Sequence, residues 1–179
     1  MNRKSPHTEA LAYRWLDSPV GRLRLVAGAR GLVAVLWEQD GPHRVPLTLG
    51  DECTEEPLLR DADTQLREYF AGVRKTFALP LDFRGTAFQQ RVWQALLRIP
   101  FGETRSYAQV AAMLGAPNAA RAVGAANGRN PLSIIAPCHR VVGSDGTLTG
   151  FAGGLAAKAR LLHFERARTP HESTANLRG

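Results

Sequence analysis

The chain has 179 residues, 44% hydrophobic and 22% charged, which is typical of a globular protein that folds without disulfide staples. With only two cysteines and a start (MNRKSPHTEA) that lacks the pattern of a secretory signal, the sequence does not indicate a disulfide scaffold. No apolar run approaches the roughly 18 residues of a membrane span, which excludes a membrane protein. Lys and Arg outnumber Asp and Glu by 23 to 16, a net charge of +7, which favours a polyanionic partner although many basic proteins bind no nucleic acid.

The N-terminal part alternates short apolar runs with turn residues. The runs AYRWL, LRLVAG and LVAVLW are separated by SPVG and ARG, which predicts a small antiparallel meander. From Pro57 to Val73 apolar residues recur every three or four positions, as on one face of an amphipathic helix. We therefore predict an N-terminal α+β domain with its linker over residues 1–84.

Capping boxes mark two helix starts in the next part of the chain. They pair Thr86 with Gln89 and Ser106 with Gln109. The first predicts a helix that stops at Pro100, and the second a helix that ends at Gly115. A turn at Ala116-Pro117-Asn118 then leads into AARAVGAANG. This outline is typical of a helix-turn-helix, which places its second helix in a DNA groove, although two packed core helices would give the same pattern.

Residues 130–154 are rich in proline and glycine and are predicted to be irregular, with one short strand. A last amphipathic helix is predicted from Leu155 to about Ala167, with Leu155, Ala159, Leu162 and Arg166 on one side. We assign residues 85–167 to a helical domain and residues 168–179 to a polar tail that we expect to be mobile.

Cys138 lies next to His139 in the segment PCHR. A neighbouring imidazole and cationic surroundings lower the pKa of a thiol and make it a nucleophile, whereas an isolated cysteine is more often a small buried hydrophobe. Structural zinc needs four clustered ligands, and we predict no metal because the other candidates are scattered: His7, His43, Cys53, His163 and His171. The GFAGG stretch lacks the pattern of a phosphate-binding loop.

The segment Pro137-Cys138-His139-Arg140-Val141 resembles the active-site signature of the methylated-DNA–protein-cysteine methyltransferases, or O6-alkylguanine-DNA alkyltransferases. The likeness continues in FQQRVWQALLRIPFGETRSYAQVA, ARAVGAANGRNPLSIIAPCHRVVG and GTLTGFAGGLAAKARLLHFE. These stretches cover nearly all of residues 86–165. The N-terminal zinc ligands of some relatives are missing here, which again predicts no zinc.

The resemblance implies transfer of an alkyl group from O6-alkylguanine, and from O4-alkylthymine, in double-stranded DNA onto Cys138. The reaction is expected to end after one turnover, without a cofactor, in a cytoplasmic monomer. His139 would act on Cys138 through a water molecule while Glu165 holds the imidazole. Asn130 would brace the active-site turn, although a turn former before Pro131 explains it equally well.

The resemblance also implies a set of residues that contact DNA. Arg121 would fill the base stack after a nucleotide is flipped out, and Tyr107 would contact the flipped base and its phosphate; without the resemblance they indicate a solvated charge and an aromatic anchor. The remaining expected contacts with the DNA or base are Arg140, Val141, Phe151, Ala152 and Gly153. Phe151 and Ala152 stand where some relatives have tyrosine and serine, so two hydroxyl groups are missing.

Three other functions remain open from the sequence. A non-catalytic alkyltransferase-like protein would bind lesions without repairing them, but those proteins lack the cysteine that is present here. A helix-turn-helix transcription factor would bind a defined operator in undamaged DNA. A cysteine hydrolase would use the Cys-His-Glu set repeatedly on an acyl substrate.

Overall fold

The structure is a computed structural model that describes residues 9–170; the predictions for His7 and for residues 171–179 of the polar tail lie outside that range. Its strands are β1 (Leu11–Ser18), β2 (Gly21–Gly28), β3 (Gly31–Trp37), β4 (Leu49–Glu52), β5 (Arg105–Ser106) and β6 (Val141–Val142). Its helices are α1 (Pro57–Phe70), α2 (Ala87–Leu96), α3 (Tyr107–Met113), α4 (Ala120–Gly128) and α5 (Leu155–Ala167). The predicted α+β class, with a sheet followed by helices, is confirmed.

The N-terminal sheet has the strand order β3-β2-β1-β4. The first three strands form the predicted antiparallel meander, with Ser18 paired to Gly21 around the Pro19-Val20 turn. The fourth strand runs parallel to β1 and was not predicted. Its sequence LGDE has only one residue that is not exposed, so its strand conformation depends on pairing with β1.

Strand β3 is buried at all seven residues, although it is at the edge of the sheet. Segments from outside the sheet cover that edge. The backbone of Leu32 donates to Pro80 O and accepts from Asp82 N, at 2.8 and 2.9 Å, and Val35 N donates to Pro131 O at 2.8 Å. Residues 80–82, which follow α1, and the segment before Cys138 therefore both pair with β3.

Both predicted capping boxes are present, at Thr86 and at Ser106. Helix α1 ends at Phe70, three residues before the predicted end, because Gly72 takes a φ of +81° and its N–H bonds to a carbonyl only three residues back. Helix α2 likewise ends at Leu96, and the chain up to Pro100 is a tightened turn with the same bonding.

Helix α5 has the predicted bounds, but the predicted side is wrong except for Leu162. Leu155, Ala159 and Arg166 are exposed. The buried residues of α5 are Ala157, Lys158, Leu161, Leu162 and Glu165. Two charged residues therefore lie on the inner face, where burial is tolerated only if polar partners are available.

Two hydrophobic clusters meet at the cysteine segment. One joins the inner face of the sheet to α1, α5 and residues 132–136. The other joins α2, α3 and α4 and includes Cys138 and Val141. The cysteine segment therefore lies at the seam between the two parts of the molecule. Within residues 9–170, no helix is long and apolar enough to span a membrane.

Candidate active site

Asn130 closes the turn that leads into Cys138. Its Oδ1 accepts from Leu132 N at 3.0 Å and its Nδ2 donates to Ala136 O at 2.8 Å. Asn130 is fully buried. Without its side chain Leu132 N would lose its partner, whereas Ala136 O would keep the bond from Cys138 N at 2.8 Å. These bonds are the ones that a bracing residue would make.

The turn also contains Ile134, which has a left-handed backbone with φ of +73°. This conformation costs a β-branched residue about 1–3 kcal/mol. The N-terminal part supports the turn, because Arg44 Nη1 donates to Asn130 O at 2.8 Å. Asp40 fixes the Arg44 guanidinium through two bonds of 2.6 Å. The surrounding structure, and not local preference, therefore determines the shape of the turn.

Cys138 begins the 3-10 turn Cys138–Arg140 and is only 4% exposed. Burial raises the pKa of its thiol, and this outweighs a hydrogen bond from the Asn130 side chain and the positive charges of Arg44 and Lys158. The sequence favours a lowered thiol pKa, and the direction differs because the thiol is buried. The resting cysteine is therefore a neutral thiol that needs a base.

Glu165 lies at the centre of a buried hydrogen-bond network. Its Oε1 is 2.8 Å from His139 Nε2 and accepts from Tyr69 Oη at 2.7 Å. Burial alone would raise the pKa of Glu165, but the hydrogen bond from His139, together with the hydrogen bonds and positive charge of Arg140, holds it well below its ordinary value. Glu165 is therefore ionised at neutral pH.

His139 is buried and neutral at this site. Burial lowers the pKa of its imidazole, which outweighs the opposing effect of Glu165. The neutral ring donates its Nε2 proton to the Glu165 carboxylate, which leaves Nδ1 as the unprotonated nitrogen. Nδ1 is buried and has no hydrogen-bond partner among the described residues. The residue that follows Cys138 in the chain therefore provides a base with one free nitrogen.

The structure requires a correction for Arg140, which was expected to contact DNA. Its side chain is 7% exposed and donates from Nε and Nη2 to the two oxygens of Glu165, both at 2.9 Å. Nη1 donates to Ile99 O at 2.6 Å. Its guanidinium is thus the buried counter-charge of Glu165 and is not free for phosphate.

The expected DNA-contacting helices do form a helix-turn-helix from α3 and α4. Arg121 is exposed near the start of α4. Tyr107 is the first residue of α3, and its hydroxyl is 2.7 Å from Thr149 Oγ1. Gly124 of α4 lies close to the Tyr107 ring, since a Cβ there would be 3.7 Å away. The small residues of α4 therefore allow it to pack closely against the start of α3.

Trp37 of the sheet supports the glycine-rich loop that follows β6. Phe151 packs on its ring edge-to-face at 5.4 Å, and a Cβ at Gly153 would lie 2.6 Å from the Trp37 ring. Trp37 also donates from Nε1 to Ser133 Oγ at 3.0 Å. Residues 151–153 are partly exposed, Ala152 included, whereas the Val141 side chain is fully buried.

Two polar residues that no sequence pattern singled out reach the site from elsewhere in the chain. Tyr69 comes from α1, and no local pattern links it to Glu165. Lys158 is fully buried on α5 and donates to Thr149 O at 3.0 Å; burial lowers its pKa. Its seven-residue spacing from Glu165, with leucines between, could have indicated a charged inner face. Among residues 9–170, no group of three or more His, Cys, Asp or Glu could hold a metal ion.

Comparison with known proteins identifies the family. Residues 87–167 match the DNA-binding domain of 6-O-methylguanine DNA methyltransferase, and residues 11–83 match the ribonuclease-like domain of the same proteins. The constitutive methylated-DNA–protein-cysteine methyltransferase of Bacillus subtilis is 49% identical over 157 residues, covering 86% of this chain and 94% of that protein.

Solved structures give the same result. The crystal structure of Mycobacterium tuberculosis O6-methylguanine methyltransferase is 48% identical, with a TM-score of 0.80 over 90% of this chain and 96% of that chain. The M. tuberculosis protein in complex with DNA is 48% identical, with a TM-score of 0.78 over 89% of this chain and 96% of that chain. The chain therefore belongs to the methylated-DNA–protein-cysteine methyltransferase family, whose members are enzymes of DNA repair by alkyl transfer.

Proposed function

We propose that this protein removes the alkyl group from O6-alkylguanine in double-stranded DNA by transferring it to its own Cys138, once per chain. The observation that carries this proposal is the buried Cys138–His139–Glu165 set, in which the imidazole of the residue next to Cys138 holds Glu165 with one nitrogen and has no partner among the described residues for the other. Cys138 packs in the same hydrophobic cluster as the two helices of the helix-turn-helix. No cofactor takes part, because the lesion itself supplies the alkyl group.

The reaction is a displacement at the alkyl carbon. The thiol proton of Cys138 passes through one water molecule to Nδ1 of His139, and the resulting imidazolium is stabilised by Glu165. The sulfur forms a bond to the carbon as the bond between that carbon and O6 breaks. The electron pair leaves with guanine, which takes up one proton and is restored. The product is an S-alkylcysteine, so the nucleophile is consumed.

The lesion has to leave the base stack, because O6 cannot reach a buried sulfur while the guanine remains stacked. We infer that Arg121 fills the gap in the stack and that Tyr107 contacts the flipped base and its phosphate. Backbone groups near Val141 and at residues 151–153 would bind the base edge. The exposure of Arg121 on α4 supports this assignment, and Phe151 can still stack although it lacks a hydroxyl group.

Several finer assignments belong to the same proposal. O4-alkylthymine presents an alkyl group on an exocyclic oxygen in the same way and would be a second substrate. The protein would act as a monomer in the cytoplasm, where a free thiol persists. Residues 1–84 would form the N-terminal domain with its linker, residues 85–167 the catalytic and DNA-binding domain, and residues 168–179 a tail.

The direct test is to incubate the protein with an excess of duplex DNA that contains one O6-methylguanine, and then to measure intact and peptide masses. We expect one methyl group per chain, on Cys138, and no further turnover. Cys138→Ala should bind the duplex and transfer nothing. A parallel duplex with O4-methylthymine tests the second substrate.

Other outcomes identify the alternatives. A methyl group on Cys53, or several repaired duplexes per chain, would contradict the proposed reaction. Binding to the lesion without transfer by the wild type would indicate a damage-binding protein instead. Preference for an undamaged sequence would indicate a regulator, and repeated cleavage of an acyl substrate would indicate a hydrolase.

A further inference from the structure

Tyr69 brings a hydroxyl group from the N-terminal part of the molecule to the Glu165 carboxylate. It lies on α1, is fully buried, and donates from Oη to Glu165 Oε1 at 2.7 Å. The ring packs in an aromatic cluster with Phe70, Phe77, Phe101 and Phe164. A phenylalanine would satisfy that cluster equally well, so the packing does not explain the hydroxyl group.

A buried hydroxyl group is unfavourable unless it is hydrogen-bonded. The Tyr69 hydroxyl bonds to Glu165 Oε1, the same oxygen that bonds to the His139 imidazole. Glu165 Oε1 accepts hydrogen bonds from Tyr69 Oη, His139 Nε2 and Arg140 Nη2, at 2.7, 2.8 and 2.9 Å. Burial and the charge of Glu165 raise the pKa of Tyr69. Tyr69 is therefore a donor at every pH at which the protein would be assayed.

We propose that Tyr69 is a positioning residue for alkyl transfer, which fixes Glu165 Oε1 against His139 Nε2 and so sets the orientation and the basicity of His139. This inference rests on the proposed function, in which His139 takes the thiol proton of Cys138. It means that the N-terminal part contributes a residue to the proton-transfer network and is more than a support for the DNA-binding part.

The variant Tyr69→Phe removes one donor and keeps the ring. The remaining charge on Oε1 then acts more strongly on His139, which favours the imidazolium, and a looser carboxylate holds the ring less well. The acidic limb of the rate–pH profile should move to higher pH, and transfer at neutral pH should slow about tenfold, equivalent to about 1.4 kcal/mol. The other charged or titratable groups around this chain of bonds are Cys138, Arg140, Lys158, Arg168 and, next to the cysteine, Arg44, and all are unchanged in the variant.

The experiment measures single-turnover methyl transfer from a duplex with one O6-methylguanine, with protein in saturating excess, from acidic to alkaline pH. Wild type, Tyr69→Phe and the control Phe70→Leu are compared; Phe70 belongs to the same helix and aromatic cluster but carries no polar group. The fraction of active chains is titrated separately with DNA in excess. Partial unfolding lowers that fraction and leaves the saturated rate constant unchanged.

We expect Tyr69→Phe alone to shift the profile and lower the rate constant, while Phe70→Leu lowers at most the active fraction. If the profiles of Tyr69→Phe and wild type coincide, Tyr69 is only a packing residue and the inference is wrong. If Phe70→Leu shifts the profile equally, the cluster and not the hydroxyl group is responsible, and the inference is again wrong. A wild type that accepts no methyl group would instead overturn the proposed function.

Discussion

Replacing Arg140 with methionine would remove the buried counter-charge of Glu165 and keep most of the side-chain volume. Three hydrogen bonds are lost: two to the carboxylate at 2.9 Å and one to Ile99 O at 2.6 Å. Glu165 would then keep Tyr69, His139 and a longer bond from Gly102 N at 3.3 Å. Breaking a buried ion pair on one side typically destabilises a protein by about 3–5 kcal/mol, and we expect that range here.

The loss of stability in Arg140→Met should depend on pH, and the direction of that dependence follows from the pKa of Glu165. The folded-state pKa of Glu165 is lowered from an ordinary value of 4.5, so its contribution to stability is present above that value and is lost as the pH falls through the folded-state pKa. Arg140 is one of the groups that lower it. The difference in free energy of unfolding between wild type and Arg140→Met should therefore be largest at neutral pH and narrow in acid.

Urea denaturation from neutral to acidic pH measures the free energy of unfolding. The salt dependence of DNA binding measures the number of phosphate contacts. Arg121→Ala is the matched contrast, because Arg121 is exposed and we assign it to DNA. Arg140→Met should lose stability and keep the salt slope, whereas Arg121→Ala should keep stability and bind duplex DNA more weakly. A salt slope reduced by about one in Arg140→Met, with unchanged stability, would mean that Arg140 is a phosphate contact after all.

Three further predictions concern the turn and its network. Glu165→Gln removes the charge that favours protonated His139, so methyl transfer at neutral pH should slow by about a hundredfold or more; an unchanged rate in single-turnover assays would reduce Glu165 to a packing role. Asn130→Ala removes two buried hydrogen bonds and a bond that lowers the thiol pKa. It should cost about 2 kcal/mol or more in urea denaturation and give a transfer rate that recovers as the pH rises; a pH-independent deficit would contradict the thiol effect. Gly153→Ala should cost about 1–3 kcal/mol by the same method, because its Cβ would meet the Trp37 ring at 2.6 Å, whereas Gly150→Ala has no atom within 4 Å and should be neutral. Equal stabilities of the two alanine variants would refute the close packing on Trp37.

Features set by neighbouring residues could be predicted from the sequence. The capping boxes at Thr86 and Ser106 are such features, because each depends on a pair three residues apart. The antiparallel meander also follows from alternating apolar runs and turn residues. Strand β4 could not be predicted in this way, since its conformation comes from pairing with β1, some forty residues earlier in the chain.

The residues of the candidate site also divide into those that the sequence could identify and those that only the structure reveals. Cys138, His139 and Glu165 were identified through resemblance, and the structure brings the three together. Tyr69 was missed because its partner lies 96 residues away. Arg140 was assigned to DNA through the same resemblance, and only the structure shows that its partner is the buried Glu165. Burial of Cys138 likewise reverses the direction that its cationic neighbours suggested for its pKa.

The position of the cysteine segment between the two hydrophobic clusters has a consequence for how the molecule unfolds. Residues 132–136 pack with the sheet, α1 and α5, while Cys138 and Val141 pack with α2, α3 and α4. Neither part can lose its structure without exposing apolar surface of the other. The two parts should therefore melt in one cooperative transition, and a fragment limited to residues 85–167 would lack Trp37, Arg44 and Tyr69. Such a fragment could retain the helix-turn-helix sequence and still fail to hold a reactive cysteine.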